Sequence, residues 1–388
     1  AFVSHTGTWM QNTTVPWVIF KMTGSEGWLG LVAFSHFIPA LLVGPIGGTI
    51  ADRFPRKKVL LITQSGAMLT AFALWVAWAT GHATPGLILT LVGLSGFIFG
   101  FGQAAWHSFV PHLVPREDLL SAVTLNSAQF NAARMVGPLL AGLTLSWFGP
   151  GAAFLVNAAS YLAVLAALAS IRVRPAASSS SSSSASAAGE PAVANGESAR
   201  RSGGGFGEAV RYARGHLGIR TALGCLTIVM FLGSPVISLL AAFADEFHVD
   251  EAAYGALTAA LGLGAVCAAI PLSAYGGRVR RSRLAGGSMS FFSVGVLGMS
   301  VAPNFAVGVV VMCTFGMGYV LVASSLNSTI QLLVEERFRG RVLALFGMSF
   351  TTGLPLGALV QARLAEAFGV RVVVGGAGFL LLAADAVG

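Results

Sequence analysis

The sequence predicts an all-α polytopic membrane protein whose twelve transmembrane helices form two six-helix bundles. Three observations predict this fold. Only 10% of the 388 residues are charged, 55% are hydrophobic, and apolar runs of similar length follow one another along the chain. Because soluble domains carry about 25% charged residues, this chain has too little charge to cover a globular surface in water.

Each apolar run is long enough to span a bilayer. A helix needs about 20 apolar residues to cross about 30 Å of hydrocarbon, and Gly-, Pro- and Asn-containing turns separate the runs. The first run begins at residue 1 and the last ends at 387, so we expect the first and last helices to be clipped. The predicted spans are 1–20, 29–50, 59–80, 85–110, 119–147, 151–171, 219–243, 252–275, 284–301, 304–328, 341–363 and 370–387.

The basic residues predict the orientation. Nineteen of the 23 Lys and Arg residues lie in loops on one side of the membrane, and Lys21, Arg363 and Arg371 lie on the other side. Since basic loops stay in the cytoplasm, both termini are predicted to be cytoplasmic. The five basic loops are 52–58, 111–118, 172–220, 276–283 and 335–341.

A polar segment divides the chain. Residues 175–205 include a run of serines and little that could pack in a core, which predicts a flexible linker. We therefore predict an N-terminal six-helix bundle over 1–171, a cytoplasmic Ser/Gly-rich linker over 172–218 and a C-terminal six-helix bundle over 219–388.

The two predicted bundles also repeat a pattern. Residues 107–126 and 327–346 both read as small polar residues, an apolar stretch, a charged turn and an apolar helix. Paired bundles related by a parallel repeat are an architecture used by secondary transporters.

Several function classes are excluded. The chain has no phosphate-binding loop that ends in Gly-Lys-Ser/Thr, which an ATP-driven pump needs, and no nucleophile with a base at sensible spacing in a loop. We predict a non-enzyme without cofactor or metal. The basic residues occupy short clusters between apolar runs and do not form a face with interleaved aromatic residues, so we expect no nucleic-acid partner. The expected partners are the lipid bilayer, a small-molecule substrate and protons, and we expect a monomer.

The stretch GGTIADRFPRKKVLL, residues 47–61, concentrates charge between two apolar runs. It resembles the signature loop of the major facilitator superfamily, although Pro55 stands where that family usually has glycine. The residues that carry the resemblance are Gly48, Asp52, Arg53, Arg56, Lys57 and Lys58. The segments 7–25 and 131–142 are similar to the enterobactin-exporter-like branch, which includes macrolide efflux proteins.

The resemblance implies a proton-coupled exporter of a lipophilic drug-like compound or an aromatic siderophore. Such a protein would work by alternating access in the bacterial inner membrane. It also implies that Asp52 pairs with the start of span 11, near Gly340 and Arg341, and latches the cytoplasmic side shut. A carboxylate gains about 0.3–1 kcal/mol at a helix N-terminus. The alternative is that the bases only set topology and bind lipid headgroups, which we favour for Lys57 and Lys58.

One polar face lies inside predicted span 5. Ser127, Asn131, Arg134 and Pro138 fall on the same side of a helix, and the Gly137-Pro138 pair is expected to kink it. A charge at the depth of Arg134 costs several kcal/mol unless it is paired or hydrated. Arg134 is either an anchor for an anionic or phenolic substrate group or a structural residue held by backbone carbonyls.

Other candidate residues line the predicted cavity or carry protons. A cavity lined by Met and aromatic side chains suits flat lipophilic compounds. The cavity candidates are Asn12, Phe97, Phe101, Gln103, Met230, Met312, Phe315 and Tyr319. Since no acidic residue lies at mid-membrane, the proton-coupling candidates are His36, Asp245 and Glu246.

Two rival functions remain open. One is a lysophospholipid flippase on the same fold, which would need no pH gradient. The other is a transport-inactive membrane sensor or scaffold whose linker binds a partner.

Overall fold

The computed structural model describes residues 1–109, 118–170, 206–275 and 281–387, and within these ranges the surroundings of some residues, among them Gly48 and Asp52, lie outside the description. The described backbone is helical almost throughout and contains no strand. The helices are α1 (Phe2–Thr23), α2 (Glu26–Arg53), α3 (Arg56–Ala79), α4 (Pro85–Phe109), α5 (Leu119–Ser170), α6 (Phe206–Gly215), α7 (Leu217–Ile228), α8 (Leu240–Glu246), α9 (Glu251–Tyr275), α10 (Arg281–Val301), α11 (Phe305–Leu333), α12 (Arg339–Phe368) and α13 (Val370–Val387).

The long helix α5 is a hairpin of two spans. Its backbone leaves helical geometry at Gly149, where φ is 75°, a conformation that glycine adopts without steric cost. Gly151 lies beside Trp78 at the end of α3, and Lys57 at the start of α3 reaches Ala169. The second arm of α5 therefore runs antiparallel to α3, and the chain reverses at Gly149.

The described helices account for twelve crossings. Eight segments are long and apolar enough to span a membrane, and one of them, Thr124–Ser170, contains the two arms of α5. Helices α1, α10 and α13 supply the remaining crossings. The span that begins with α7 is interrupted by a π-helix (Val229–Gly233) and a 3-10 helix (Ser234–Ile237) before α8 completes it.

The helices begin and end at two opposite faces of the molecule. The basic face is the one where α2 ends at Arg53 and α12 begins at Arg339. The opposite face is the one where α1 ends at Thr23 and α9 begins at Glu251.

The two bundles meet along two helix pairs, α5 with α9 and α2 with α12. Glycines allow the backbones to touch. A Cβ added at Gly255 would lie 2.6 Å from the carbonyl oxygen of Pro138, and one added at Gly30 would lie 2.8 Å from that of Ala358. In lipid, where helices gain no hydrophobic energy from association, such small-residue contacts drive helix packing.

Helix α6 lies inside the stretch 172–218 that we predicted as linker. Ala209 and Ala213 are buried, and the Tyr212 ring stacks on Phe338 with centroids 4.1 Å apart. The reason is the spacing of Ala209, Tyr212 and Ala213, which places them on one helical face. Residues 171–205, which hold the serine run, are outside the described residues.

The break after α7 is stabilised by α12. The π-helix and the 3-10 helix leave carbonyl groups without helical partners, and the buried side chain of Gln361 donates to two of them. Its Nε2 lies 2.8 Å from the Phe231 oxygen and 2.9 Å from the Leu232 oxygen. Pro235, at the start of the 3-10 turn, cannot continue the helical hydrogen bonding.

Replacing Gly255 by Ala should destabilise the protein. In an open helix position, Gly→Ala stabilises by up to about 1 kcal/mol, but here the added methyl would force α5 and α9 apart. Gly376→Ala is the matched control because nothing lies within 4 Å of its added Cβ. We expect a lower thermal unfolding midpoint for Gly255→Ala than for Gly376→Ala, and equal midpoints would contradict the close helix contact.

Candidate functional site

Arg134 lies between aromatic rings of the two bundles. Its guanidinium carbon is 5.4 Å from the ring centroid of Trp9 on α1 and 5.5 Å from that of Tyr319 on α11. Both distances are within the range of about 6 Å for a cation–π contact. The Arg134 carbonyl also lies 3.1 Å from a Cβ added at Gly262 on α9. The predicted charge at mid-depth is thus in contact with both halves.

The other residues of the predicted polar face are half-buried at Ser127 and Asn131 and buried at Gly137 and Pro138. The Asn131 amide donates to the Ser127 carbonyl at 2.9 Å, so it is engaged within its own helix, and both side chains are half-buried. Gly137 and Pro138 are buried between α1 and α9. The kink expected at Pro138 stays a prediction, and the one described residue of α5 with non-helical dihedral angles is Gly149, in the turn predicted between spans 5 and 6.

Three predicted cavity residues do not face open space. Met230, Met312 and Phe315 are fully buried in the core of the C-terminal bundle. Met230 belongs to the π-helix and lies against Gly353 of α12, and Phe315 lies against Phe292 of α10 with ring centroids 4.9 Å apart, so apolar neighbours surround them.

The other cavity candidates are more accessible. Tyr319 and Gln103 are half-buried, and Asn12 is exposed in the middle of α1. Phe97 is exposed and packs edge to face on Phe101, with ring centroids 5.0 Å apart. Of these residues, Tyr319 is the one that the structure places against Arg134.

Polar contacts join the bundles at the opposite face. Lys21 Nζ on α1 lies 2.6 Å from Asp245 Oδ1 on α8, and the Ser25 hydroxyl donates to Glu366 near the end of α12. Lys21 and Asp245 are both about half exposed, and an exposed ion pair stabilises by only about 0–1 kcal/mol.

An aromatic contact beneath these pairs contributes more. The Tyr254 ring of α9 stacks on Trp17 of α1 with centroids 4.8 Å apart, and its buried hydroxyl donates to the Thr13 carbonyl at 3.1 Å. Such a stack adds about 0.5–1.5 kcal/mol, and the hydrogen bond adds a similar amount. Closure of this face therefore depends mainly on Tyr254 and less on the ion pair.

The proton-coupling candidates lie in three different settings. Asp245 pairs across the bundles with Lys21, whereas Glu246 pairs with Arg371 of its own bundle. His36 packs against Phe37 and Phe99, with ring centroids 5.0 Å and 5.9 Å away. The structure does not bring these three groups together.

At the basic face, the gate residues are described in part. Arg53 is exposed and Arg56 is half-buried. Lys57 Nζ donates to the Ala169 carbonyl at 3.1 Å, so it caps the C-terminal end of α5, where cations are favoured. Since the surroundings of Gly48 and the side chain of Asp52 lie outside the description, the Asp52 latch stays a prediction.

Arg341 at the start of α12 has an acidic partner that sequence reasoning missed. Its guanidinium is 4% exposed and lies 3.1 Å from Glu208 of α6. Other contact residues were also missed, because only the tertiary structure brings their helices together. They are Trp9, Lys21, Tyr254 and Glu366. Trp9 could have been found, since it lies on the same side of α1 as His5 and Asn12.

Comparisons with known proteins agree with this architecture. The family model described as "Transmembrane secretion effector" matches residues 1–388. The multidrug efflux pump Tap of Mycobacterium tuberculosis is 26% identical over 369 residues, which cover 92% of this chain and 83% of the pump. The enterobactin exporter EntS of Citrobacter koseri is 27% identical over 370 residues, which cover 94% of this chain and 83% of the exporter.

Solved structures share the fold at lower sequence identity. A mutant form of the nucleoside transporter NupG superposes with a TM-score of 0.76 at 14% identity and covers 100% of this chain and 97% of the transporter. A bacterial homologue of the human lysosomal transporter Spinster, in an inward-facing and occupied conformation, superposes with a TM-score of 0.75 at 14% identity. The match covers 99% of this chain and 93% of the homologue.

These matches confirm the predicted fold of two six-helix bundles. They also confirm a transporter rather than an enzyme. The chain belongs to the transmembrane secretion effector family, a branch of the major facilitator superfamily of multi-pass membrane transporters.

Proposed function

We propose that the protein is a proton-coupled exporter of lipophilic aromatic compounds that carry an anionic or phenolic group. The observation that carries this proposal is the position of Arg134 between Trp9 and Tyr319. A flat aromatic ligand could stack on either ring while its oxygen atoms pair with the guanidinium, whose planar fork suits two such contacts.

A ligand at this place would bind both bundles at once. Trp9 and Arg134 belong to the N-terminal bundle and Tyr319 to the C-terminal bundle. Because the two bundles move against each other in alternating access, the contacts of such a ligand differ between the two states. A ligand shifts an equilibrium only through such a difference in affinity.

The basic loops predict the orientation of the closed face. If the basic face is cytoplasmic, Lys21, Tyr254 and Glu366 close the outer side of the protein in the bacterial inner membrane. A substrate then enters from the cytoplasm and leaves after these contacts break. The names of the relatives, a multidrug efflux pump and an enterobactin exporter, support export of this compound class.

Purified protein in liposomes with an imposed pH gradient tests the function. A pH-sensitive dye reports proton movement while catecholates, macrolides, lipophilic cations and lysolipids are added in turn. We expect catecholates or other phenolic or anionic aromatic compounds to trigger proton release. Movement of labelled lysolipid without any proton flux would overturn the proposal in favour of a lipid flippase.

Substitutions at Arg134 should separate charge from geometry. Arg134→Gln removes the cation–π contacts with Trp9 and Tyr319 and the positive charge that would pair with the substrate's oxygen atoms. We therefore expect at least a tenfold loss of transport. Arg134→Lys keeps the charge without the planar fork and should give an intermediate rate. The measurement is initial transport of the best compound in the liposome assay.

Arg211→Gln is the control, because Arg211 is exposed on α6, away from Arg134 and from the contacts at the opposite face. It should transport close to the wild-type rate. Normal transport by Arg134→Lys with every substrate would contradict the two-point contact.

Replacing Asp52 tests the latch at the basic face. Asp52→Asn removes the charge that would be stabilised near the start of α12, so we expect slower turnover with substrate binding largely retained. Asp118→Asn, which neutralises an exposed carboxylate near the start of α5, is the control. Binding is measured by ligand titration and turnover in liposomes, and wild-type turnover of Asp52→Asn would refute the latch.

Neighbouring acids offer a test of closure at the opposite face. Asp245→Asn breaks the contact with Lys21 between bundles, whereas Glu246→Gln breaks the contact with Arg371 within one bundle. Since measured exposed pairs contribute about 0.2–1 kcal/mol, we expect the open population to rise by about 1.4- to fivefold in Asp245→Asn and to stay unchanged in Glu246→Gln.

Spin labels report this population. Cysteines that replace the exposed residues Met22 and Val372 place one label in each bundle near the opposite face of a cysteine-free protein. Double electron–electron resonance then gives the fraction of molecules with the longer distance. Equal fractions in the two variants would show that the Lys21–Asp245 pair has no role in closure.

A further inference from the structure

A groove opens beside α6, away from Arg134. It has a volume of about 430 Å³ and runs between α6, α7 and the first half of α12. The α7 side extends from Arg220 to Phe231, which is about 16 Å at 1.5 Å per residue. The groove is therefore long enough for an extended chain, and its volume is typical of ligand sites, which range over about 300–1,000 Å³.

The inner end of the groove is closed by a helix crossing. A Cβ added at Gly357 would lie 2.1 Å from the Phe231 carbonyl oxygen, and one added at Gly353 would lie 2.7 Å from the Met230 Cβ. The interrupted span after α7 and α12 touch there, and the space between the two helices lies on the side of this crossing toward the basic face.

The interior of the groove is apolar. Leu223, Leu345 and Met348 contribute its walls. Of the three hydroxyl groups that line it, two are paired with each other, because Thr227 Oγ1 donates to Ser349 Oγ at 3.2 Å. The interior thus suits hydrocarbon and offers no charged partner to a polar ligand.

The mouth of the groove is cationic. Arg214, near the end of α6, and Arg220, in the first turn of α7, both line it and are exposed. Neither guanidinium forms an ion pair with any residue in the described ranges. Since α7 begins at Leu217, the two arginines lie where the apolar span starts, at the depth of lipid headgroups.

Helix α6, which forms one wall, is fixed in place. Tyr212 stacks on Phe338, and its hydroxyl accepts a hydrogen bond from the Glu335 backbone N–H at 3.1 Å. Glu208 pairs with the buried Arg341. The groove is therefore bounded by three anchored helices, which distinguishes it from an ordinary lipid-facing surface.

We propose that this groove binds an anionic phospholipid of the surrounding bilayer, with an acyl chain in the apolar interior and the phosphate between Arg214 and Arg220. The charge of the mouth selects an anionic headgroup, since one basic residue near the membrane surface favours anionic lipid by about fivefold. The site is separate from Arg134, and it does not rest on the proposed substrate or on proton coupling.

Native mass spectrometry of the purified full chain tests this site. The protein is titrated with phosphatidylglycerol or with phosphatidylcholine of the same chains, and bound lipid is counted. We expect tighter binding of phosphatidylglycerol, and weakening by about fivefold in Arg214→Gln, by about fivefold in Arg220→Gln and by more in the double variant. Arg211→Gln is the matched control, because Arg211 is an exposed arginine of α6 that does not line the groove.

A second variant tests the apolar part without changing charge. Met348→Trp fills the groove at an exposed position of α12, so we expect it to lower phosphatidylglycerol binding while Arg214 and Arg220 remain. Size-exclusion chromatography confirms that each variant is folded.

Three outcomes would overturn the proposal. Equal binding of the two lipids would show that the groove does not recognise headgroup charge. Equal phosphatidylglycerol binding by Arg211→Gln and Arg214→Gln would show a general surface effect. Undiminished binding by Met348→Trp would place the lipid elsewhere.

Discussion

Close backbone contact between the bundles is the constraint on which the other features depend. Helices in lipid gain little from burying apolar side chains against one another, so they associate where small residues let the backbones touch. Gly142 and Gly255 provide this contact for α5 and α9, and Gly30 provides it for α2 and α12. These crossings fix which side chains of one bundle face the other, including Arg134 and Tyr254.

The energies at the opposite face are consistent with a protein that must open and close. The exposed ion pair contributes about 0–1 kcal/mol. The aromatic stack and the buried hydrogen bond contribute about 0.5–1.5 kcal/mol each. A substrate must bind one state more tightly than the other by about 5.5 kcal/mol to shift the ratio of open to closed molecules from 1:99 to 99:1. The sum of these contacts is smaller than that, so a bound substrate can overcome it. Contacts of this size hold one state without making it permanent.

The interrupted span that begins with α7 shapes both the packing of the C-terminal bundle and the groove beside α6. Gln361 satisfies carbonyl groups that the π-helix leaves free, and the crossing at Gly353 and Gly357 closes the groove beside α6. Irregular helices of this kind are tolerated in membranes only where neighbouring groups satisfy the backbone. Met230 lies within this π-helix and is buried against Gly353 of α12, so it does not line an open cavity.

The sequence by itself determined the fold class, the number of spans and their order, because the thickness of the bilayer fixes the length of each apolar run. It also identified Arg134, since a charge inside an apolar span is costly and therefore conspicuous. Only the tertiary structure decided the partners. Trp9 and Glu208 look ordinary in the sequence, and Tyr319 is predicted there only as a cavity residue. Their contacts with Arg134 and Arg341 depend on which helices the glycine crossings bring together.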